Sequence, residues 1–207
     1  MWRQFPEDTR FWNEKDWEQY FVSQDSRFAA EMQAGEFQEE TNVDVAGILE
    51  DDADSCPDCP GHPPQSGDLS ETFDEDYEAA LEKELNHLPA WRAALEFSDL
   101  VYEFVSPICQ KPGEEPIQRT SRQLCQESYL VADYIAGGHE IGYDEDVICG
   151  NIALCNRALT SLDQCIKHLS DIPPADIAPE KLLLRAYIVR SFVTRRIEDL
   201  RTQVWWQ

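Results

Sequence analysis

Four stretches in the C-terminal two-thirds of this sequence repeat apolar residues in steps of three and four, and this periodicity limits the fold more than any other feature. The steps average about 3.5 residues, the period of helices that pack nearly parallel to one another. The four seams are Ala90, Ala94, Phe97, Val101, Phe104 and Ile108; Ile117, Ser121, Leu124, Ser128, Val131 and Ile135; Ile148, Ile152, Cys155, Leu159, Leu162, Ile166 and Leu169; and Leu182, Ala186, Val189, Val193, Ile197, Leu200 and Val204. The pattern predicts an all-α protein with an up-and-down antiparallel four-helix bundle over residues 76–207.

Glycine and proline pairs divide the seams and predict where the helices end. These pairs are Pro112-Gly113, Gly137-Gly138 and Pro173-Pro174. Gly137-Gly138 is predicted to stop the second helix, since glycine favours the residue after a helix end. The acidic run Asp144-Glu145-Asp146 suits the start of the third helix, where the helix dipole favours negative charge. Residues 74–88 also look helical, either as an extension of the first helix or as a separate lead-in that ends before Pro89.

The first 75 residues have a different composition. They carry 4 basic and 20 acidic side chains, against 13 and 21 in the remainder, within a net charge of −24. Residues 41–75 are acidic and proline-rich, and we expect a linker without a packed core. Residues 1–40 are acidic and aromatic, which predicts a partly disordered arm that becomes helical when it docks on its own bundle or on a partner. The candidate partner-binding residues of this arm are Trp12, Trp17, Tyr20, Phe21 and Phe28.

The strong negative charge disfavours nucleic acid and anionic lipid over most of the surface. The fourth helix is the exception. Its basic residues form a candidate strip for a phosphate backbone or an acidic partner, or else an ordinary solvated face: Lys181, Arg185, Arg190, Arg196 and Arg201. Beyond them, Trp205 and Trp206 are typical of interface anchors and are candidates for an oligomer interface.

Metal and catalytic motifs are sparse. Cys56, Cys59 and His62 offer three ligands of the zinc type, but a tetrahedral site needs four, and a linker with two thiols explains them as well. Glu84 and His87 have di-iron spacing, but such bundles need two of these motifs plus further inward glutamates. No nucleophile elbow or phosphate-binding glycine loop is present. We therefore predict no cofactor and no enzymatic activity.

The remaining features concern the cellular compartment. No run of about 18 apolar residues exists, so no membrane span is predicted. The first residues lack the basic start and apolar core of a secretory signal. The seven cysteines are an odd number, and five of them lie in or beside the predicted helices like small buried hydrophobes. These features favour the cytoplasm.

Residues 88–204 resemble the four-helix-bundle family encoded in 23S ribosomal RNA intervening sequences, which includes the accessory variability proteins of diversity-generating retroelements. The matching positions are Trp91, Ala94 and Val101-Tyr102 in the first helix, Tyr134 to Gly138 at the end of the second, and Ile152-Ala153-Leu154 with Asp163 in the third. The resemblance implies a four-helix bundle and a ring-forming oligomer. For the retroelement members it also implies binding to nucleic acid and to a reverse transcriptase.

Two functional hypotheses follow from these observations. The first is a non-enzymatic, oligomeric adaptor that recruits a partner protein through its acidic aromatic arm. The alternative is a nucleic-acid-binding accessory factor of a reverse transcriptase, acting through the basic fourth helix. The net charge disfavours the alternative.

Overall fold

The computed structural model describes Thr9 and residues 12–34, 80–110, 115–172 and 178–204. All the regular structure in these ranges is α-helical, and no strand occurs in them. The prediction of an all-α protein is therefore confirmed. Besides a short helical stretch over residues 80–85, the helices are α1 (Glu14–Ala34), α2 (Pro89–Cys109), α3 (Glu115–Ile141), α4 (Ile148–Asp171) and α5 (Ala178–Arg201).

The chain divides into two compact units. One comprises Met1–Tyr20 and Leu81–Gln207, and the other comprises Phe21–Ala80. The first two turns of α1 thus belong to the unit that also contains α2–α5. The predicted linker over residues 41–75 and the predicted arm boundary at residue 40 lie outside the described residues, so both stay predictions.

Helices α2–α5, called the core helices below, form a closed circuit of packing contacts. Helix α3 packs on α2, α4 on α3 and α5 on α4, and α5 also packs on α2. The predicted α5 seam is buried from Leu182 to Leu200. In α2, Val105 is buried while Phe104 is only half-buried. The reason is that a straight helix repeats every 3.6 residues, so the buried stripe drifts away from a strict 3.5-residue seam.

The predicted end of the second helix at Gly137-Gly138 is wrong. Helix α3 continues through both residues to Ile141, and the chain leaves it at Gly142, whose φ of +108° lies in the left-handed region. Gly138 serves close helix packing instead: a Cβ there would lie 2.8 Å from the Asn151 Oδ1 of α4 and 3.2 Å from the Asn151 carbonyl oxygen. A residue without a side chain is needed where two backbones approach this closely.

Two helix starts follow from their sequences. Helix α4 begins just after the acidic run of residues 144–146, as predicted. Helix α2 begins at Pro89, separated by a turn from helical residues 80–85, so the lead-in alternative is the observed one. Among the described residues, no helix has the combination of length and apolarity that crossing a bilayer demands.

Candidate functional site

The first two turns of α1 lie on one face of α4, and we call this face the platform. Its floor is Gly150, which is buried. A Cβ built on Gly150 would lie 2.9 Å from Cδ2 of the Trp17 indole and 3.0 Å from both Cε2 and Cε3. The indole of Trp17 therefore rests directly on the α4 backbone, and its exposed fraction is 0%. Any larger residue at position 150 would have to displace the ring.

The Trp17 ring is held from the arm side by other aromatic rings. Trp12 lies edge-on to it, with centroids 5.3 Å apart, and Tyr20 does the same at 6.0 Å. Edge-to-face pairs at these separations are favourable because of the ring quadrupoles. These two contacts hold the indole in the orientation that it has on the platform.

A reciprocal cap fixes the start of α1. The Asn13 Oδ1 accepts the backbone N–H of Lys15 at 2.8 Å, and the Asp16 Oδ2 accepts the backbone N–H of Asn13 at 3.0 Å. This is the capping-box arrangement, which satisfies donors that the first turn would otherwise leave unpaired. The arm helix thus has its own local start signal, close to Trp17.

Two carboxylates of the arm bind the rim of the platform. Glu14 receives a bidentate contact from Arg201 of α5, with nitrogen–oxygen distances of 2.8 and 2.7 Å, and the Asn156 Nδ2 donates to the Glu14 Oε2 at 3.1 Å. Glu18 accepts the Nε–H of Arg157 at 3.1 Å on each oxygen. The hydrogen bonds that Arg201 donates to the Glu14 carboxylate raise the pKa of Arg201.

The contact residues of the arm share one helical face. Glu14, Trp17 and Glu18 are spaced i, i+3 and i+4, so all three project toward the platform. The indole contacts α4 at Gly150, and the two carboxylates are bound further along, by Asn156, Arg157 and Arg201. This is the chemistry of an amphipathic helix in a groove.

The predicted arm residues therefore differ in accessibility. Trp17 and Phe21 are buried, with exposed fractions of 0%, whereas Trp12 and Tyr20 are half-buried. Phe28, further along α1, is exposed. Within the compact unit that ends at Tyr20, the Trp17 indole is the aromatic side chain that rests on the α4 backbone.

The residues of the predicted basic strip of α5 have different surroundings. Arg190 pairs with Asp163 of α4, and Arg201 pairs with Glu14 of the arm. Arg196 donates hydrogen bonds within a polar cluster that includes Tyr143 and Asn151. Of the five predicted residues, Lys181 and Arg185 are exposed and belong to neither arrangement.

The polar cluster is centred on Asn151, whose exposed fraction is 0%. The Asn151 Nδ2 donates to the carbonyl oxygen of Gly142 at 3.0 Å, and the Arg196 Nη2 donates to the Asn151 Oδ1 at 3.3 Å and to the Tyr143 hydroxyl at 3.1 Å. The Cys155 thiol also donates to the Asn151 Oδ1, at 3.7 Å. Asn151 thus ties the chain reversal after α3 to α4 and α5.

The cluster continues to the surface through His139. The His139 Nδ1 lies 2.7 Å from the Tyr143 hydroxyl, and the His139 Nε2 lies 3.3 Å from the Glu84 Oε2. The sequence analysis placed Arg196 in the basic strip and did not identify His139 or Asn151. The sequence did contain a signal for this cluster, because the amide side chain of Asn151 lies inside the most apolar run of α4.

Two thiols that are buried among the core helices have raised pKa values. Burial raises the pKa of the Cys155 thiol, although the nearby Arg196 opposes this effect. Burial likewise raises the pKa of Cys165. A thiol with a raised pKa is a poor nucleophile at neutral pH, since the thiolate is the reactive form. Cys149, Cys155 and Cys165 are small buried hydrophobes as predicted, while Cys109 and Cys125 line a groove between α2 and α3.

Several predicted sites fall on other parts of the chain. Cys56, Cys59 and His62 lie outside the described residues, as do Trp205 and Trp206. Within the described ranges, no three His, Cys, Asp or Glu side chains are grouped to hold a metal ion, and Glu84 contacts His139.

The sequence was also compared with known proteins. No protein-family model matches it, and neither the curated proteins nor the solved structures provided a significant match.

Proposed function

We propose that this protein is a non-enzymatic, oligomeric adaptor that recruits a partner protein through its acidic aromatic arm. In the docked state the arm occupies its own platform, and recruitment requires that the arm leave it. The observation that carries the proposal is the Trp17 indole seated on Gly150, together with the ion pairs that the Glu14 and Glu18 carboxylates form with Arg201 and Arg157. This is a recognition surface with one apolar anchor and two charged positions.

The proposed scaffold is an up-and-down four-helix bundle. Gly138 of α3 lies against Asn151 of α4, and the Cys165 thiol of α4 donates to the carbonyl oxygen of Leu124 of α3. Between these two contacts the chain runs 14 residues backward in α3 and 14 residues forward in α4. Antiparallel neighbours have this relation. The pairs Asn151–Arg196 and Asp163–Arg190 show the same relation between α4 and α5, because the residue number rises in α4 while it falls in α5. Short connections between successive core helices also favour antiparallel neighbours.

The strength of the docked contact is compatible with exchange. Burial of the Trp17 side chain contributes about 2–3 kcal/mol. The two ion pairs at the rim are partly exposed, and each contributes about 0.2–1 kcal/mol. Opening therefore requires a few kcal/mol, and a partner that offers equivalent contacts can compete for the arm.

Three full-length variants test the proposal. Gly150→Leu should expel the indole and release the arm, Trp17→Ala should remove the anchor, and Gly137→Ala is the control, because its Cβ would meet only the flexible Leu154 Cδ1 at 3.4 Å. Each variant is immobilised, and the host proteins that it captures are quantified. We expect capture to increase with Gly150→Leu, to disappear with Trp17→Ala and to be unchanged with Gly137→Ala. Equal capture by all variants would contradict the proposal.

The nucleic-acid-binding accessory factor remains the alternative, in line with the family resemblance. Exposed Lys181 and Arg185 favour it, while the ion pairs of Arg190 and Arg201 count against a continuous phosphate strip. Binding of single-stranded RNA by the full chain at low salt, lost on Lys181→Glu, would favour the alternative. Sedimentation at increasing protein concentration tests the homo-oligomer, and fractionation of host cells tests the cytoplasmic location.

A further inference from the structure

Helix α5 carries a second apolar stripe on the side away from the core. Leu184 is 63% exposed, Tyr187 54% and Phe192 39%, and Ile188 between them is half-buried. These residues follow the spacing i, i+3, i+4 and i+8, which places them on one side of a helix. The outer face of α5 is defined here as this stripe together with Lys181, Arg185 and Arg195.

The exposed apolar stripe is not needed to pack α5 against the other core helices. The core-facing stripe, which includes Ala186, Val189 and Val193, is already buried. A helix of a monomeric protein needs only one apolar stripe, and contiguous exposed apolar surface marks a site of interaction.

The charges around the stripe are positive in a protein of net charge −24. Lys181, Arg185 and Arg195 are exposed, and none of them forms an ion pair within the part of the chain that the structure describes. The cations on the flank that faces α4 behave differently, since Arg190 and Arg201 are bound by carboxylates. Acidic residues occur at the two ends of α5, at Glu180 and at Glu198-Asp199. The turns between them are basic.

We propose that the outer face of α5 docks an acidic amphipathic helix of a partner protein. Leucine-rich positions of that helix would cover Leu184, Tyr187 and Phe192, and its carboxylates would pair with Lys181, Arg185 and Arg195. The site shares no residue with the contacts of the arm, which involve α4 and Arg201 at the end of α5.

Charge complementarity selects this occupant over two others. If two copies paired through the same face, like charges would oppose each other across the contact, which is unfavourable. A nucleic acid backbone would satisfy the lysine and the arginines but would leave the apolar stripe in water. An acidic amphipathic helix satisfies both parts of the face at once.

The test uses the full-length protein and two labelled synthetic peptides. Both are about 20-residue helices with leucines along one face; the flanking positions are glutamates in one and lysines in the other. Fluorescence anisotropy measures binding, and we expect the acidic peptide to bind at least about tenfold more tightly than the basic one. Leu184→Ser and the double variant Lys181→Glu/Arg185→Glu should each weaken the acidic peptide at least about fivefold.

Tyr102→Ser is the matched control, because Tyr102 is an equally exposed aromatic residue on α2. It should leave the affinity unchanged. Helical circular dichroism confirms that each variant is folded, which is expected because all the substituted side chains are exposed.

Four results would overturn the proposal. The first is equal affinity for the two peptides, and the second is an affinity that Leu184→Ser does not change. The third is binding of a single-stranded RNA that is lost in the charge-reversed variant but kept in Leu184→Ser, which would assign the face to nucleic acid. The fourth is a dimer that Leu184→Ser dissociates while neither peptide binds, which would assign the face to a second copy.

Discussion

The substitution Gly150→Ala should change the stability of the docked arm and of the core helices in opposite directions, and each effect can be measured by itself. The added Cβ would lie 2.9 Å from the Trp17 ring, whereas carbon atoms in contact prefer about 3.5 Å. The floor is backbone, and the edge-on contacts of the ring with Trp12 and Tyr20 oppose its rotation. The arm must therefore move by roughly 0.6 Å or leave the platform.

Two free-energy terms of opposite sign act on different parts of the molecule. Overpacking of a well-filled contact costs about 1–3 kcal/mol, and this penalty falls on the docked arm. Replacing glycine by alanine inside a helix stabilises the helix by about 1 kcal/mol, and this gain belongs to α4 whether or not the arm is docked. We expect the arm to be destabilised while the core helices keep or slightly raise their melting temperature.

Hydrogen exchange with mass spectrometry measures the first effect on peptides that cover residues 14–20. A penalty of about 1.4 kcal/mol corresponds to about tenfold faster exchange of the protected amides. Thermal melting followed by circular dichroism measures the second effect. Gly137→Ala is the control and should not change exchange in the arm, because its Cβ would lie 3.4 Å from a flexible Leu154 methyl group. Unchanged exchange of residues 14–20 in Gly150→Ala would refute the idea that the indole rests on the α4 backbone.

Three further predictions concern the core helices. Gly138→Ala would place a Cβ 2.8 Å from the Asn151 Oδ1, and we expect this substitution to lower the free energy of unfolding by about 1–3 kcal/mol. Urea denaturation measures the change, and an unchanged midpoint would contradict the close approach of α3 and α4. Asn151→Ala removes the partner of the Gly142 carbonyl oxygen and of Arg196, and the same assay should show a loss of about 1–3 kcal/mol. Burial raises the pKa of Cys155 and of Cys165, so these thiols ionise at a lower pH in the unfolded chain than in the folded one. The free energy of unfolding should therefore fall as the pH rises above about 9. Between about pH 8 and pH 10, the fall in the free energy of unfolding should be smaller in Cys165→Ala than in the wild type.

The arm and the outer face of α5 offer different kinds of contact. The arm presents carboxylates around an indole, and at present its own platform satisfies them. The outer face of α5 presents cations around exposed aliphatic and aromatic side chains. The two surfaces therefore suit binding partners of opposite charge.

The sequence by itself determined the helical class and most of the core. Apolar residues at helical spacing must leave water together, so the seam of α5 could be read directly from Leu182 to Leu200. In α4 most of the predicted seam is buried, but Leu159 and Ile166 are only half-buried. The start of α4 after an acidic run was equally local, because the charges act on the helix dipole within the first turn.

Only the tertiary structure decided the roles of Gly138, Gly150, Asn151 and Arg196. A glycine reads as a helix stop in sequence, yet Gly138 and Gly150 are the points where Asn151 and Trp17 approach a backbone that needs to be bare. Arg196 reads as one more cation on a solvated face, but its guanidinium reaches Asn151 and Tyr143. Periodicity is a property of one helix, whereas a missing side chain or a buried amide acquires its purpose from the residue that a different helix brings against it.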